Sequence, residues 1–173
     1  MLSTSAVVLC GLVLLVSAVS KVRGRSDYAE FVASVPAFGI PARWTSLFAV
    51  LTVVAEFVIA LLLLASLVIG SPVPGLLLAA GMFAVLTAAV WRAVARQSGA
   101  VCRCFGRART KLTHRHVVRN AFLLATAAGG LALSVVDAVA SPAAVVLAAG
   151  VGVVGAVLVV RFDDLADLVA GPV

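Results

Sequence analysis

Charged side chains are scarce in this chain. Of its 173 residues only 12% are Asp, Glu, Lys or Arg, and only seven of those are acidic. An ordinary soluble domain carries about 25% charged residues, so the composition excludes one. Also missing is the positively charged start of a cleaved signal peptide, and the first apolar run continues to Ser20. "VVLCG" superficially resembles a lipoprotein cleavage site, but Leu9 stands where a small residue is needed and most of the apolar run follows Cys10. A retained first helix is therefore expected. Cations are absent altogether from the connections at 70–75 and 138–142.

What fills the chain instead is apolar: 64% of residues are hydrophobic, and the mean hydropathy is +1.23. These residues form long blocks, and a bilayer span needs about 20 of them. The expected fold is all-α: a single membrane domain over 1–173, a helical bundle of about five transmembrane helices. It comprises a four-helix core and one C-terminal span, with a short interfacial helix after the first span. Spans are expected at about 2–20, 44–69, 75–95, 117–139 and 142–160, with a Cys-x-Cys loop over 98–116. In "SDYAEFVASVP", Ser26 is the expected cap, Asp27 and Glu30 suit the first turn, and Pro36 should stop the helix. Thr126, Gly130 and Ser134 recur every four residues, as do Ala144, Ala148, Gly152 and Ala156. Small residues at that spacing let helix backbones approach in lipid.

The net charge is +6 and the isoelectric point about 10.3. The cations cluster between apolar blocks, so they bear on topology rather than on nucleic acid, for which no basic surface remains. The loop after the first span holds Lys21, Arg23, Arg25 and Arg43, and the loop after the third is denser still. The positive-inside rule puts both loops in the cytoplasm and the N-terminus outside. The expected location is the cell membrane, with lipid bilayer as the surrounding partner.

Four side chains invite chemistry in "AVCRCFGRARTKLTHRH". Cys102 and Cys104 could close a small strained disulfide ring, which is easily reduced. Arg103, Arg107 and Arg109 favour the reactive thiolate. The alternative is a metal site of Cys102, Cys104, His114 and His116, suited to zinc or cuprous copper. Each pair is separated by one residue only, so both histidines could reach one metal in an extended loop but not on a helix. A solvated basic loop with inert thiols is the third reading.

Glu56 is the only charge between Trp44 and Trp91. It lies about 18 Å into its helix, at ~1.5 Å per residue, close to mid-bilayer. A carboxylate there is expected to be protonated, paired or facing a polar cavity. Thr45, Thr52 and Glu56 share one helix face, and Cys10, Ser17 and Lys21 share another, so a polar seam between those two helices is expected. Cys10 itself reads as a small apolar residue.

The order of these features resembles the MauE/DoxX family of redox-associated membrane proteins, and its methylamine-utilisation MauE branch in particular. The resemblance rests on "SAVSKVRGRSDYAEFVASVPAFGIP", on "LTVVAEFVIALLLL" with its central glutamate, on "CRCFG", and on Arg119–Asn120, and it covers about Ser17 to Leu133. It carries over to Lys21, Glu56, Cys102, Cys104, Phe105, Gly106, Arg119 and Asn120. It implies a bacterial cell-membrane bundle that supports maturation of disulfide-containing exported partners alongside a thioredoxin-like protein. The expected function is thiol–disulfide exchange by Cys102 and Cys104, with Glu56 and Lys21 tuning a polar cavity. The alternatives are a metal-handling transporter and an assembly factor without turnover. No cofactor is identified; a quinone could stand at the far end of the relay, but no sequence feature marks a site for one. An exported partner would want outward-facing thiols, whereas the charge count puts them inside.

Overall fold

A computed structural model describes residues 2–96, 114–135, 141–162 and 164–165 of the chain. All of the regular structure among them is helical. The six helices are α1 (Leu2–Val22), α2 (Arg25–Ser34), α3 (Thr45–Ile69), α4 (Val73–Ala95), α5 (His114–Ser134) and α6 (Pro142–Val160). Five of them, all but α2, are long and apolar enough to cross a membrane. The molecule is an all-α membrane bundle.

Chain punctuation explains the breaks. Gly70 caps α3 in the left-handed region at φ 89°, which glycine adopts without strain, and Pro72 and Pro74 flank the start of α4. Ser141 caps α6, its side chain accepting a hydrogen bond from the Ala144 amide. Helix α2 stops at Ser34, and Pro36 sits in a short 3-10 turn, Val35–Phe38, that ends on left-handed Gly39. Ser26 does not cap α2 as expected. The extended residue is Gly24, two positions earlier, so Asp27 still falls in the first turn, where it complements the helix dipole.

Helix α1 is the most enclosed of the spans and packs against α3, α5 and α6. The four-residue spacing of small side chains is what permits this. A Cβ added at Gly152 would lie 2.8 Å from the Ser5 carbonyl oxygen, and one at Gly130 would lie 2.6 Å from Ala6 Cβ. Ser5 Oγ also donates to the Ala148 carbonyl at 2.8 Å, tying α1 to α6. Helices α4 and α5 pack closely along their length, whereas α3 and α4 touch far less.

The register between α1 and α3 positions the site. Gly11 faces Leu63 and Leu64, and Ser17 meets Glu56. This antiparallel alignment brings the end of α1 level with about Thr52. The first two turns of α3 therefore project about 10 Å beyond α1, at ~1.5 Å per residue. Helix α2 packs on α1 and α3, and the Val35–Phe38 turn bridges α3 and α4, so together they roof the space left there.

Candidate functional site: a buried ion pair under an apolar cavity

Lys21 occupies the last turn of α1, where a cation suits the helix dipole. Ser17 lies one turn earlier on the same face. Both point at α3, and Glu56 points back. Lys21 Nζ donates to Glu56 Oε1 at 2.6 Å and to Oε2 at 2.7 Å, and to Ser17 Oγ at 2.7 Å. Ser17 Oγ in turn donates to Glu56 Oε1 at 3.1 Å. Lys21 is 4% exposed and Glu56 1%, so the pair is sealed from solvent. An ammonium has three donors and a carboxylate about four acceptor sites. All three donors of Lys21 are used, whereas Oε2 of Glu56 accepts one bond from the described residues. The expected seam exists, and its two ends are joined directly. Cys10 and Thr45 are buried on their faces, while Thr52 bonds within its own helix to the Phe48 carbonyl.

A cavity of about 220 Å³ opens above the pair. Ser17, Lys21 and Glu56 form its floor, and Phe31, Val35 and Phe38 its roof. Phe48 and Thr52 of α3 and Phe83, Leu86 and Val90 of α4 make the walls, with Asn120 and Leu123 of α5 at the back. The Phe31 ring lies 5.2 Å from Lys21 Nζ, a cation–π contact that fixes α2 over the pair. The roof and wall phenylalanines have no counterpart in the sequence-based expectation, which gave α2 only an interfacial role.

Helix α5 begins at His114, three residues before the expected Val117, and its first turns are polar. His116, Arg119 and Asn120 are nonetheless buried, in line with Leu123, Ala127 and Gly130. His114 is exposed and meets Trp91 edge-on, with ring centroids 6.3 Å apart. The two histidines therefore diverge around a helix. The extended backbone that would let one metal take both is not what residues 114–116 adopt. Among the described residues no cluster of metal-ligating side chains occurs. Cys102 and Cys104, with Phe105 and Gly106, lie outside the described residues. Cys10 is a free thiol inside the core, fully enclosed by apolar neighbours.

Fold and site together define a polytopic helical membrane protein with a charged pair sealed within its bundle. The chain belongs to the family of the methylamine utilisation protein MauE, whose family model matches residues 1–133. The match takes in α1 to α4 and nearly all of α5, and with them Lys21, Glu56 and Asn120; α6 lies past it. No curated protein and no solved structure matches the chain.

Proposed function

We propose that this MauE-family protein performs thiol–disulfide exchange at the membrane in support of methylamine utilisation. Cys102 and Cys104 form the exchanging pair. One thiolate attacks a partner disulfide, and the other displaces the partner's second sulfur. The chain's dithiol becomes a disulfide as the partner's disulfide becomes a dithiol, with two electrons and two protons conserved across the exchange. A thioredoxin-like or disulfide-containing exported protein is the partner class. The cations that crowd this part of the chain keep a thiolate available and place the segment on the cytoplasmic side of the cell membrane.

The observation that carries the reading is where the flanks of the cysteine segment stand. Arg96 closes α4 beside Gly39, where an added Cβ would lie 3.5 Å from Arg96 Nη1, and His114 opens α5 against Trp91. Both flanks therefore belong to the end of the bundle that holds the Lys21–Glu56 pair and its cavity. The pair holds α1, α2 and α3 together at that end of the bundle, a positioning role rather than a reacting one.

The test is a redox titration. Purified protein is equilibrated in glutathione buffers of graded potential, and free thiols are trapped with a maleimide that adds mass. Cys102 and Cys104 should lose two adducts together at an intermediate potential, and Cys102→Ser should abolish the step. Thiols that label at every potential would leave an assembly factor without turnover.

A further inference from the structure

A second hollow, of about 300 Å³, lies between α5 and α6. Both helices pack on α1 and scarcely touch each other, so a groove is left between them. Val118, Arg119 and Phe122 of α5 line it, with Gly155 and Leu158 of α6 and Phe162 just past that helix. Its α6 side runs about 10 Å, at ~1.5 Å per residue. Val118, Phe122 and Leu158 are each more than half exposed, so the groove opens sideways, onto the surface that lipid covers.

The groove is graded from charge to hydrocarbon. Helix α6 runs parallel to α1, since Ser5 meets Ala148 and Leu9 meets Gly155, and it therefore ends where Lys21 stands. Helix α5 starts at that same end. Arg115 lies one turn before Arg119, on the face that carries Val118 and Phe122. Arg161 closes α6 next to Phe162. Arg119 is 4% exposed and sits in the groove wall. A guanidinium surrounded by low dielectric attracts an anion more strongly than one in water. Every other lining residue is apolar. Among the described residues, Asp164 is the one carboxylate in α5, α6 or the turn that follows, and it bridges to Arg161 at 3.1 Å. Both partners are more than 60% exposed, and such a surface pair is weak enough for another anion to compete for the guanidinium.

Three cations at the mouth of an apolar slot match a negative phosphate above a hydrocarbon chain. Basic pockets between membrane helices suit anionic headgroups for this reason. A second copy of the chain is a poorer fit, because a symmetric contact through this face would set the same arginines against each other. We infer that the groove between α5 and α6 is a binding site for an anionic phospholipid, its phosphate among Arg115, Arg119 and Arg161 and one acyl chain along Phe122 and Leu158. The lipid fills the gap between the two helices and braces α6, which lies past the residues that the family model matches, against α5.

The test is lipid binding to the purified protein by native mass spectrometry, with dioleoyl phosphatidylglycerol and dioleoyl phosphatidylcholine as probes. The two share their chains and phosphate and differ in net charge. Phosphatidylglycerol should bind at least fivefold more tightly. Arg115→Gln/Arg161→Gln should bring the two lipids within twofold of each other. Arg25→Gln/Arg43→Gln removes two cations that do not line the groove, one on α2 and one before α3, and should leave the preference in place. Val118→Trp, which fills the groove, should abolish the tight site. Equal affinity for the two lipids overturns the inference. An equal loss with Arg25→Gln/Arg43→Gln also overturns it, by making the preference a property of the whole charged end. A lipid-free dimer that Val118→Trp dissociates would give the groove to a second copy instead. The four arginines replaced are exposed, and the two-lipid comparison on the unaltered protein stands even if a variant misfolds. The readout involves no thiol, so it fails or succeeds independently of the exchange reaction.

Discussion

A lysine and a glutamate held out of water and lipid alike stabilise the fold only as a pair. The attraction between them offsets the loss of solvation, and removing one partner strands the other, typically at a cost of about 3–5 kcal/mol. Glu56→Met and Lys21→Met should each lower the stability of the micelle- or bicelle-borne protein by that order. The double variant Lys21→Met/Glu56→Met should recover most of it, because the apolar pair leaves nothing uncompensated. Reversible denaturant unfolding of the four proteins gives the coupling directly, and additive losses would show that the two residues act separately. Both charges were legible in the sequence, Glu56 because it interrupts an apolar helix and Lys21 because it closes one on the face of Cys10 and Ser17. Their union was not, because it depends on α1 ending level with about Thr52, one turn from Glu56, a register set by Gly11 against Leu63 and Leu64. Asn120 was legible only through the family resemblance. By position it reads as part of a polar helix start, and only its burial on the face shared with Leu123 distinguishes it.

Between elements, contact rests on small residues and on turns. Gly130 and Gly152 bring α5 and α6 against α1 at distances that leave no room for a side chain. Gly152→Leu and Gly130→Leu should each cost about 1–3 kcal/mol through overpacking. Gly150→Leu should cost little, since an added Cβ there meets nothing within 4 Å and the residue faces outward. Unfolding of the three variants under one denaturant series checks the contrast; equal losses would mean that the stripe does not set the packing. The sequence announced these stripes through spacing, and it announced the helix breaks at Gly70 and Pro142 through backbone chemistry. It was misleading at α2 and at the start of α5. Ser26 is a better cap than Gly24 by propensity, but Gly24 takes the extended conformation that the turn out of α1 requires. The polar "HRH" reads as loop, yet it contains no helix breaker, and the buried face through His116 and Asn120 continues the helix back to His114.

The distribution of charge over the whole molecule has one direction. Every described cation falls at the same end of the bundle: Lys21 and Arg23 at the close of α1, Arg25 on α2, Arg43 before α3, Arg92 and Arg96 at the close of α4, Arg115 and Arg119 at the start of α5, and Arg161 after α6. The opposite end, where α1 and α6 begin and α3 meets α4, has none among the described residues. The family match and the five apolar helices say that the protein is a multi-pass membrane protein, and this asymmetry adds an orientation. The cation-rich end should face the cytoplasm, and Cys102 and Cys104 with it, because Arg96 and His114 flank them there. A membrane-impermeant maleimide should therefore label these thiols, after reduction, in inside-out vesicles and not in right-side-out ones. Cys10, enclosed in the core, should stay unlabelled in both and serves as the internal control. Labelling only in right-side-out vesicles would reverse the topology and give an exported partner direct access to the pair. Labelling in inside-out vesicles would require electrons to cross the bilayer to reach such a partner.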